Sequence, residues 1–172
     1  MRKKALFIIP PERFNETELF TPKEALERAG VEVTLASTKT GTITGDYQGK
    51  AEAEVLFSDV SFSDYDVVSV IGGSGTNDYL WGNEELLKKL KQAHEQKILV
   101  SGICAGAVTV VKAGLLSGRQ ATCYPVDVQI NELKAGSVDY VAQHVVASPD
   151  IITGDGPDGA EEFGAALVKA LQ

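Results

Sequence analysis

The chemistry in this sequence concentrates on Cys104 and its neighbours, Ile98-Leu99-Val100-Ser101-Gly102-Ile103-Cys104-Ala105-Gly106-Ala107. An apolar, strand-like run leads into Gly-x-Cys-x-Gly and then into a helical pattern carrying Ala107, Val108, Val111 and Leu115. That is the spacing of a nucleophile elbow with sulfur in place of oxygen. A tight turn from strand to helix holds its central residue in a sparsely populated backbone region. Side chains two positions before and after would collide there, which explains Gly102 and Gly106. The thiol then sits at a helix N-terminus, whose partial positive charge favours a thiolate and is expected to lower its pKa. The amide of Ala105 points the same way and is a candidate oxyanion donor. The plainer reading is an inert, buried cysteine, a common fate for a free Cys among apolar neighbours. The flanking glycines and the strand–helix context argue for the elbow.

A second glycine cluster follows another apolar run, in Val70-Ile71-Gly72-Gly73-Ser74-Gly75-Thr76. It fits neither Gly-x-Gly-x-x-Gly nor a phosphate loop ending in Lys-Ser/Thr. Its better use is to line the site and supply a second backbone N–H, with Gly72 and Gly73 as the candidates; the alternative is an ordinary loop turn. A thiol nucleophile usually works with a base, most often His. His94 lies in a polar helix end and His144 in a strand-like stretch, and nothing in the local sequence directs either to the thiol. A carboxyl group fits better. Glu12, Glu16 and Glu18 all follow the first strand-like run. Glu18 falls on an apolar stripe beside Leu19 and Pro22, where burial raises its pKa and keeps it protonated. Such a carboxyl can donate to a thiolate and later exchange a proton with a substrate. The competing role for Glu18 is to close a capping box with Asn15. Cys123, in Ala121-Thr122-Cys123-Tyr124-Pro125, is either core or an accessory group able to resolve an oxidised Cys104, and Tyr124 beside it is a second accessory candidate.

The elements that would position these groups alternate between strand and helix. Ala5–Ile9, Val31–Ala36, Val67–Ile71 and Ile98–Ile103 are predominantly apolar runs, as expected of parallel strands covered on both faces. Shorter β-like pieces around Ala53–Phe57, Val138–Val141 and Val145–Ile152 suit hairpins or a sheet edge. Leu19, Pro22, Leu26 and Ala29 mark a helix stopped by Gly30. Its start is ambiguous: residue 22, after Thr21, or near residue 16, after Asn15, with a kink at Pro22. Asn83 caps another helix, with Glu84 and Glu85 in its first turn and Lys88, Lys89 and Lys91 following. A last helix starts at Pro157 and buries Ala160, Phe163, Leu167 and Ala170. The pattern predicts a three-layer α/β/α sandwich with a mainly parallel sheet, ligands binding beyond the carboxyl ends of its strands.

The chain has 172 residues, a length suited to a single domain spanning 1–172, and 44% hydrophobic and 23% charged residues are ordinary for a globular protein. A formal net charge of −8 argues against nucleic-acid binding by electrostatics. The basic start Met1-Arg2-Lys3-Lys4 mimics a signal peptide, but the apolar run after it is short and is followed by Glu12 and Arg13. No run approaches the roughly 20 apolar residues of a membrane span, so the expected compartment is the cytoplasm. Two cysteines without C-x-x-C spacing and two histidines without ligand spacing predict no metal site.

At this point the chain resembles the ThiJ/PfpI superfamily, which includes protein deglycases, glyoxalase III enzymes, PfpI-type peptidases and isocyanide hydratases. The resemblance runs through Glu18 with Pro22 and Ala29-Gly30, Gly72-Gly73, and Gly102-Ile103-Cys104-Ala105-Gly106. It continues through Ala113-Gly114-Leu115-Leu116-Ser117-Gly118, Ala121-Thr122-Cys123-Tyr124-Pro125 and Ile152-Thr153-Gly154-Asp155-Gly156-Pro157. It implies a flavodoxin-like fold and a homodimer. It carries the nucleophile onto Cys104, the carboxyl partner onto Glu18 and the oxyanion donors onto Gly73 and Ala105.

The activity implied is that of a cofactor-free glyoxalase or deglycase acting on a small aldehyde, methylglyoxal, or its glycated adducts. Ala105 stands where peptidase-type members carry His, which argues against proteolysis. Tyr124 replaces the His that deglycases carry before the matching proline, an acidic residue near Asn15 is missing, and Asp155 falls where many members have Arg. Two other readings share the same residues. One is a redox-responsive stress protein or chaperone in which Cys104 oxidises to a sulfinic acid held by Glu18. The other is an isocyanide hydratase, which a Cys–carboxyl pair also suits.

Overall fold

The computed structural model describes residues 2–172. The first half of the chain runs β1 (Lys4–Ile8), α1 (Glu16–Arg28), β2 (Glu32–Ser37), β3 (Gly41–Thr44), β4 (Lys50–Ala53), β5 (Val55–Leu56), β6 (Val67–Val70), α2 (Ser74–Tyr79) and α3 (Glu84–Glu95). The second half runs β7 (Leu99–Ile103), α4 (Ala105–Lys112), β8 (Gln120–Ala121), α5 (Asp127–Ala135), β9 (Asp139–Tyr140), β10 (Val145–Ala147), β11 (Ile151–Gly154) and α6 (Ala160–Ala170). Seven strands form one sheet in the order β10-β11-β7-β6-β1-β2-β5, parallel except for β10. Helices cover both faces, giving the three-layer α/β fold expected from the alternating pattern.

Every residue of β6 and β7 is buried, including Ser69 and Ser101, so both faces of these strands are covered, which is why they read as predominantly apolar runs rather than alternating ones. One face packs Leu6, Ile8, Val68, Val70 and Val100 under Leu86 and Leu90 of α3, Val108 of α4 and Leu133 of α5. The other packs Ala5, Phe7, Ile9, Val67 and Ile103 under Leu19 and Leu26 of α1 and Phe163 and Leu167 of α6. Each large apolar side chain buried this way contributes about 1.5–3 kcal/mol. Gly164 lets α6 sit close to Pro22 of α1, where an added Cβ would stand 3.1 Å from the Pro22 Cα.

The two possible starts of α1 resolve to the earlier one. Asn15 is the N-cap, its side chain accepting from the Glu18 N–H at 3.0 Å, and Pro22 lies inside the helix. The proline stays because it belongs to the buried stripe with Glu18, Leu19 and Leu26; Ala29, expected on that stripe, is exposed. Helix α4 ends at Lys112, just before Gly114 turns to φ +82°, so Leu115 falls outside it. At the C-terminus, Pro157–Gly159 form a single 3-10 turn before α6 begins at Ala160.

The β-like stretch at Ala53–Phe57 divides between β4 and the two-residue edge strand β5. That at Val145–Ile152 divides between β10 and β11, which pair antiparallel. The pattern misses four elements: β3, which pairs antiparallel with β4, the short strand β8, which pairs parallel with β9, and helices α2 and α5.

The order of strands explains where the site falls. The chain runs outward from β1 to β2 and β5 on one side, and to β6, β7 and β11 on the other. Loops leaving neighbouring strands β1 and β6 therefore diverge, and the crevice between them is where ligands bind in such sheets. Cys104 follows β7, the next strand over. Among the described residues no helix is long and apolar enough to cross a membrane.

Candidate active site

Cys104 is the elbow itself. It follows the last residue of β7, N-caps α4, and holds φ +59° and ψ −124°, where an L-residue is strained by about 1–3 kcal/mol. Surrounding contacts hold it there. The Cys104 N–H donates to Gly154 O at 2.9 Å, and the Ala105 carbonyl accepts from the Trp81 indole N–H at 2.8 Å. The flanking glycines are explained in two ways. A Cβ on Gly102 would strike the Gly106 backbone, as the elbow pattern predicts. A Cβ on Gly106 would instead strike the Val70 carbonyl, so this second glycine is set by the neighbouring strand β6 rather than by its counterpart.

Of the three carboxylates after β1, the structure brings one to the thiol. Glu12 accepts from the Tyr79 hydroxyl at 2.5 Å. Glu16 turns away and accepts from the amides of Tyr47 and Gly49 at 2.8 Å each, anchoring the β3–β4 hairpin. Glu18 points inward and is 1% exposed. It does not close a capping box, because the Asn15 N–H donates to Gly72 O at 2.9 Å instead. That leaves the carboxyl free to face Cys104. The Cys104 thiol and the Gly72 amide both lie beside it and favour its charged form, yet neither closes a hydrogen bond of ordinary geometry on Oε1, which is buried without a partner. Burial outweighs both neighbours and pushes the Glu18 pKa up to about 8, as the apolar stripe predicts.

The same burial acts on the thiol in the direction opposite to expectation. Cys104 is 9% exposed, and its pKa lies well above the ordinary thiol value, first through desolvation and then through the charge of Glu18. The Ala105 amide and Gln129 pull it down but do not win. The helix N-terminus therefore moderates a raised pKa rather than producing a lowered one. When Glu18 carries its proton its opposing charge is gone, and the two donors that favour a thiolate remain.

Gln129 was not singled out by the sequence. It sits on α5, is 5% exposed, donates through Nε2 to Cys104 Sγ at 3.5 Å, and accepts from the Tyr124 N–H at 3.0 Å. In the sequence it is only a glutamine four residues after Pro125, and its burial comes from the tertiary structure.

The glycines after β6 complete the wall. A Cβ on Gly72 would collide with Glu18 Oε1 and crowd Cys104 Cβ, so this position must be bare. Gly73, at φ +126°, runs against the backbone of Arg13, Phe14 and Asn15, an approach that only glycine permits. Glu18, Gly73, Cys104, Tyr124 and Gln129 line one crevice of about 320 Å³, with Asp46 and Tyr47 of the β3–β4 turn at its mouth. Tyr124 is 41% exposed and its ring packs on Gly156.

Cys123 does not line the crevice. It is fully buried in the apolar cluster on the other face of the sheet, its thiol donates to Tyr124 O at 3.4 Å, and burial pushes its pKa up to about 12. Neither cysteine is in a disulfide. The histidines are engaged elsewhere: His94 with Asp150 and His144 with Asp155, each at 2.8 Å. A larger groove of about 500 Å³, bordered by Lys3, His94 and Asp150, lacks both the thiol and Glu18. Among the described residues no three His, Cys, Asp or Glu side chains are grouped to hold a metal.

Comparison with known proteins identifies the family. The model of the DJ-1/PfpI family matches residues 3–170. An uncharacterized protein of Methanocaldococcus jannaschii is 36% identical over 169 residues, covering 98% of this chain and 82% of its own. The glutathione-independent glyoxalase DJR-1.2 of Caenorhabditis elegans is 28% identical, covering 99% and 90%. A deglycase of Pyrococcus abyssi is 28% identical, covering 97% and 99%. The crystal structure of a ThiJ/PfpI domain protein from Brachyspira murdochii superposes with a TM-score of 0.94 at 27% identity, covering 99% and 98%. The chain belongs to the DJ-1/PfpI family.

Proposed function

For this member of the DJ-1/PfpI family, we propose a cysteine-dependent glyoxalase or deglycase activity on methylglyoxal or its adducts, with Cys104 as nucleophile and Glu18 as acid and base. The observation that carries the reading is a carboxyl with pKa about 8, buried beside a strained thiol in a crevice sized for a small carbonyl compound. Relatives named as a glyoxalase and a deglycase support it. A group poised near neutrality can both give and take a proton.

In this reading Glu18 accepts the thiol proton as Sγ bonds to the aldehyde carbon, then passes that proton to the carbonyl oxygen, giving a hemithioacetal. The amides of Ala105 and Gly73 hold the oxygen while it is charged. Glu18 next moves two protons, from the carbon bonded to sulfur and from its hydroxyl, to the adjacent carbon and its oxygen. The thioester that results takes up water and releases a 2-hydroxy acid and the thiol. No electron acceptor is needed, because one carbon is oxidised as its neighbour is reduced.

The test is conversion of methylglyoxal to lactate without glutathione. Wild-type turnover, its loss in Cys104→Ser, and a fall of at least about a hundredfold in Glu18→Gln are expected, in line with the usual worth of a general acid–base group. Equal activity in wild type and Cys104→Ser would sink the mechanism. The redox reading rests on the same carboxyl, which can donate to a sulfinate oxygen. Stable addition of two oxygens to Cys104 under mild peroxide, without aldehyde turnover, would favour it.

A further inference from the structure

The crevice above Cys104 carries a charge pattern that the proposed reaction does not itself demand. Its lining holds two carboxyl groups, Glu18 and Asp46, and no Lys, Arg or His. Asp46 is fixed at the mouth rather than free to swing away. Its Oδ2 accepts from the Ser74 N–H at 3.0 Å, its Oδ1 from the Ser74 hydroxyl at 2.6 Å, and its own N–H donates to Phe14 O at 2.8 Å. The cation that reaches Ser74 is already engaged. Arg13 donates to Ser74 Oγ at 3.2 Å but pairs with Asp78 at 2.7 Å and lies 3.6 Å from Glu12. Asp155, whose charge is also felt at Glu18, pairs with His144. At the floor, Glu18 Oε1 is buried, unpartnered and part of the crevice wall, so the floor supplies no positive charge that would offset Asp46 for an incoming anion.

We propose that this crevice selects its ligands by charge. Asp46 at the mouth turns away anionic carbonyl compounds such as 2-oxo acids. It admits uncharged ones and cationic ones, including carbonyl adducts of amines that keep a positive charge. The inference rests on Cys104 as the point where a ligand adds, and it names the substrate class of that site. One like charge a few ångströms away, at a dielectric between that of protein and water, opposes an anion by about three- to thirtyfold.

The experiment is alkylation of Cys104 by iodoacetamide and by iodoacetate, two reagents of similar size that differ by one negative charge. Both react with the thiolate, so the ratio of their rates is independent of how much thiolate is present. The ratio, divided by that of N-acetylcysteine in the same buffer, is expected to be about ten at low salt and to fall toward one in about 0.5 M NaCl. Asp46→Asn should lower it by about threefold or more. Asp59→Asn, the same charge change on a remote exposed turn, should leave it unchanged.

If Asp46→Asn loosens the hairpin, the salt dependence of the wild type still decides the matter. A normalised ratio near one at low salt overturns the inference, and so does an equal effect of the two substitutions. Turnover is not read in this experiment. Loss of the glyoxalase reading with the charge-dependent ratio intact would leave selection by charge standing, whereas a Cys104 unreactive to both reagents would remove both.

Discussion

Glu18 Oε1 lies so close to Gly72 that the Cβ of any other residue at position 72 would collide with it. The carboxyl that faces the thiol comes from α1, but the space for it comes from the loop after β6. Two segments more than fifty residues apart in sequence therefore place one carboxyl against one thiol.

Gly72→Ala tests that dependence directly. The new methyl group would displace Glu18 Oε1 and press on Cys104 Cβ and Ile103 O, each 2.9 Å away. Overpacking of this kind costs about 1–3 kcal/mol. Chemical denaturation should show a loss in that range, and methylglyoxal turnover should fall by at least about a hundredfold because the proton carrier is moved. Full activity in Gly72→Ala would separate the glycine from the site.

The titration of Cys104 should follow burial rather than the helix N-terminus. Its alkylation by iodoacetamide is expected to rise with a midpoint above the ordinary thiol value, since desolvation and the Glu18 charge both raise it. Glu18→Gln should move that midpoint down by removing the charge. Gln129→Leu should move it up by removing the donor 3.5 Å from Sγ. A midpoint well below about 8.5 in the wild type would reverse the ranking of burial over helix dipole.

Stability should fall with rising pH through the window set by Glu18. Its pKa is about 8 in the folded chain against 4.5 for the ordinary carboxyl. The folded state therefore holds a proton that the unfolded state has lost, and stability declines between those two values, by at most about 1.4 kcal/mol per pH unit. Below that window the contribution is fully present. Urea titrations at about pH 5 and about pH 8, near the two ends of that window, should show Glu18→Gln gaining on the wild type at the higher pH. Parallel behaviour of the two proteins would mean that Glu18 ionises normally.

The elbow stores strain at one residue, and two thiol-free variants expose it. Cys104→Gly removes the Cβ from φ +59°, whereas Cys104→Ala keeps it. Both lose the nucleophile and should be inactive. The glycine variant should nevertheless be the more stable by about 1 kcal/mol, since relief of a strained φ exceeds the extra freedom of glycine in the unfolded chain. Thermal melts of the pair measure this. A higher melting temperature for Cys104→Ala than for Cys104→Gly would show that the surroundings relax the turn.

The sequence by itself determined the sheet and the elbow. Predominantly apolar runs at residues 5–9, 67–71 and 98–103 suit strands covered on both faces, and glycines at 102 and 106 admit the turn at Cys104. These are local demands, written in consecutive residues. The burial of Glu18 was legible for the same reason, because its place on the stripe with Leu19, Pro22 and Leu26 follows from helical spacing.

Contacts between distant segments were not legible. That the Asn15 amide goes to Gly72, so that Glu18 is not spent on its own helix cap, depends on how α1 meets the loop after β6. Gln129 reaches the thiol because α5, a weakly patterned helix, closes over the crevice, and Asp46 guards the mouth because Glu16 pins the β3–β4 turn. The sign of the Cys104 shift was decided in the same way. The helix N-terminus that favours a thiolate can be read from sequence, but the desolvation that overrides it comes from side chains of several elements closing around one sulfur.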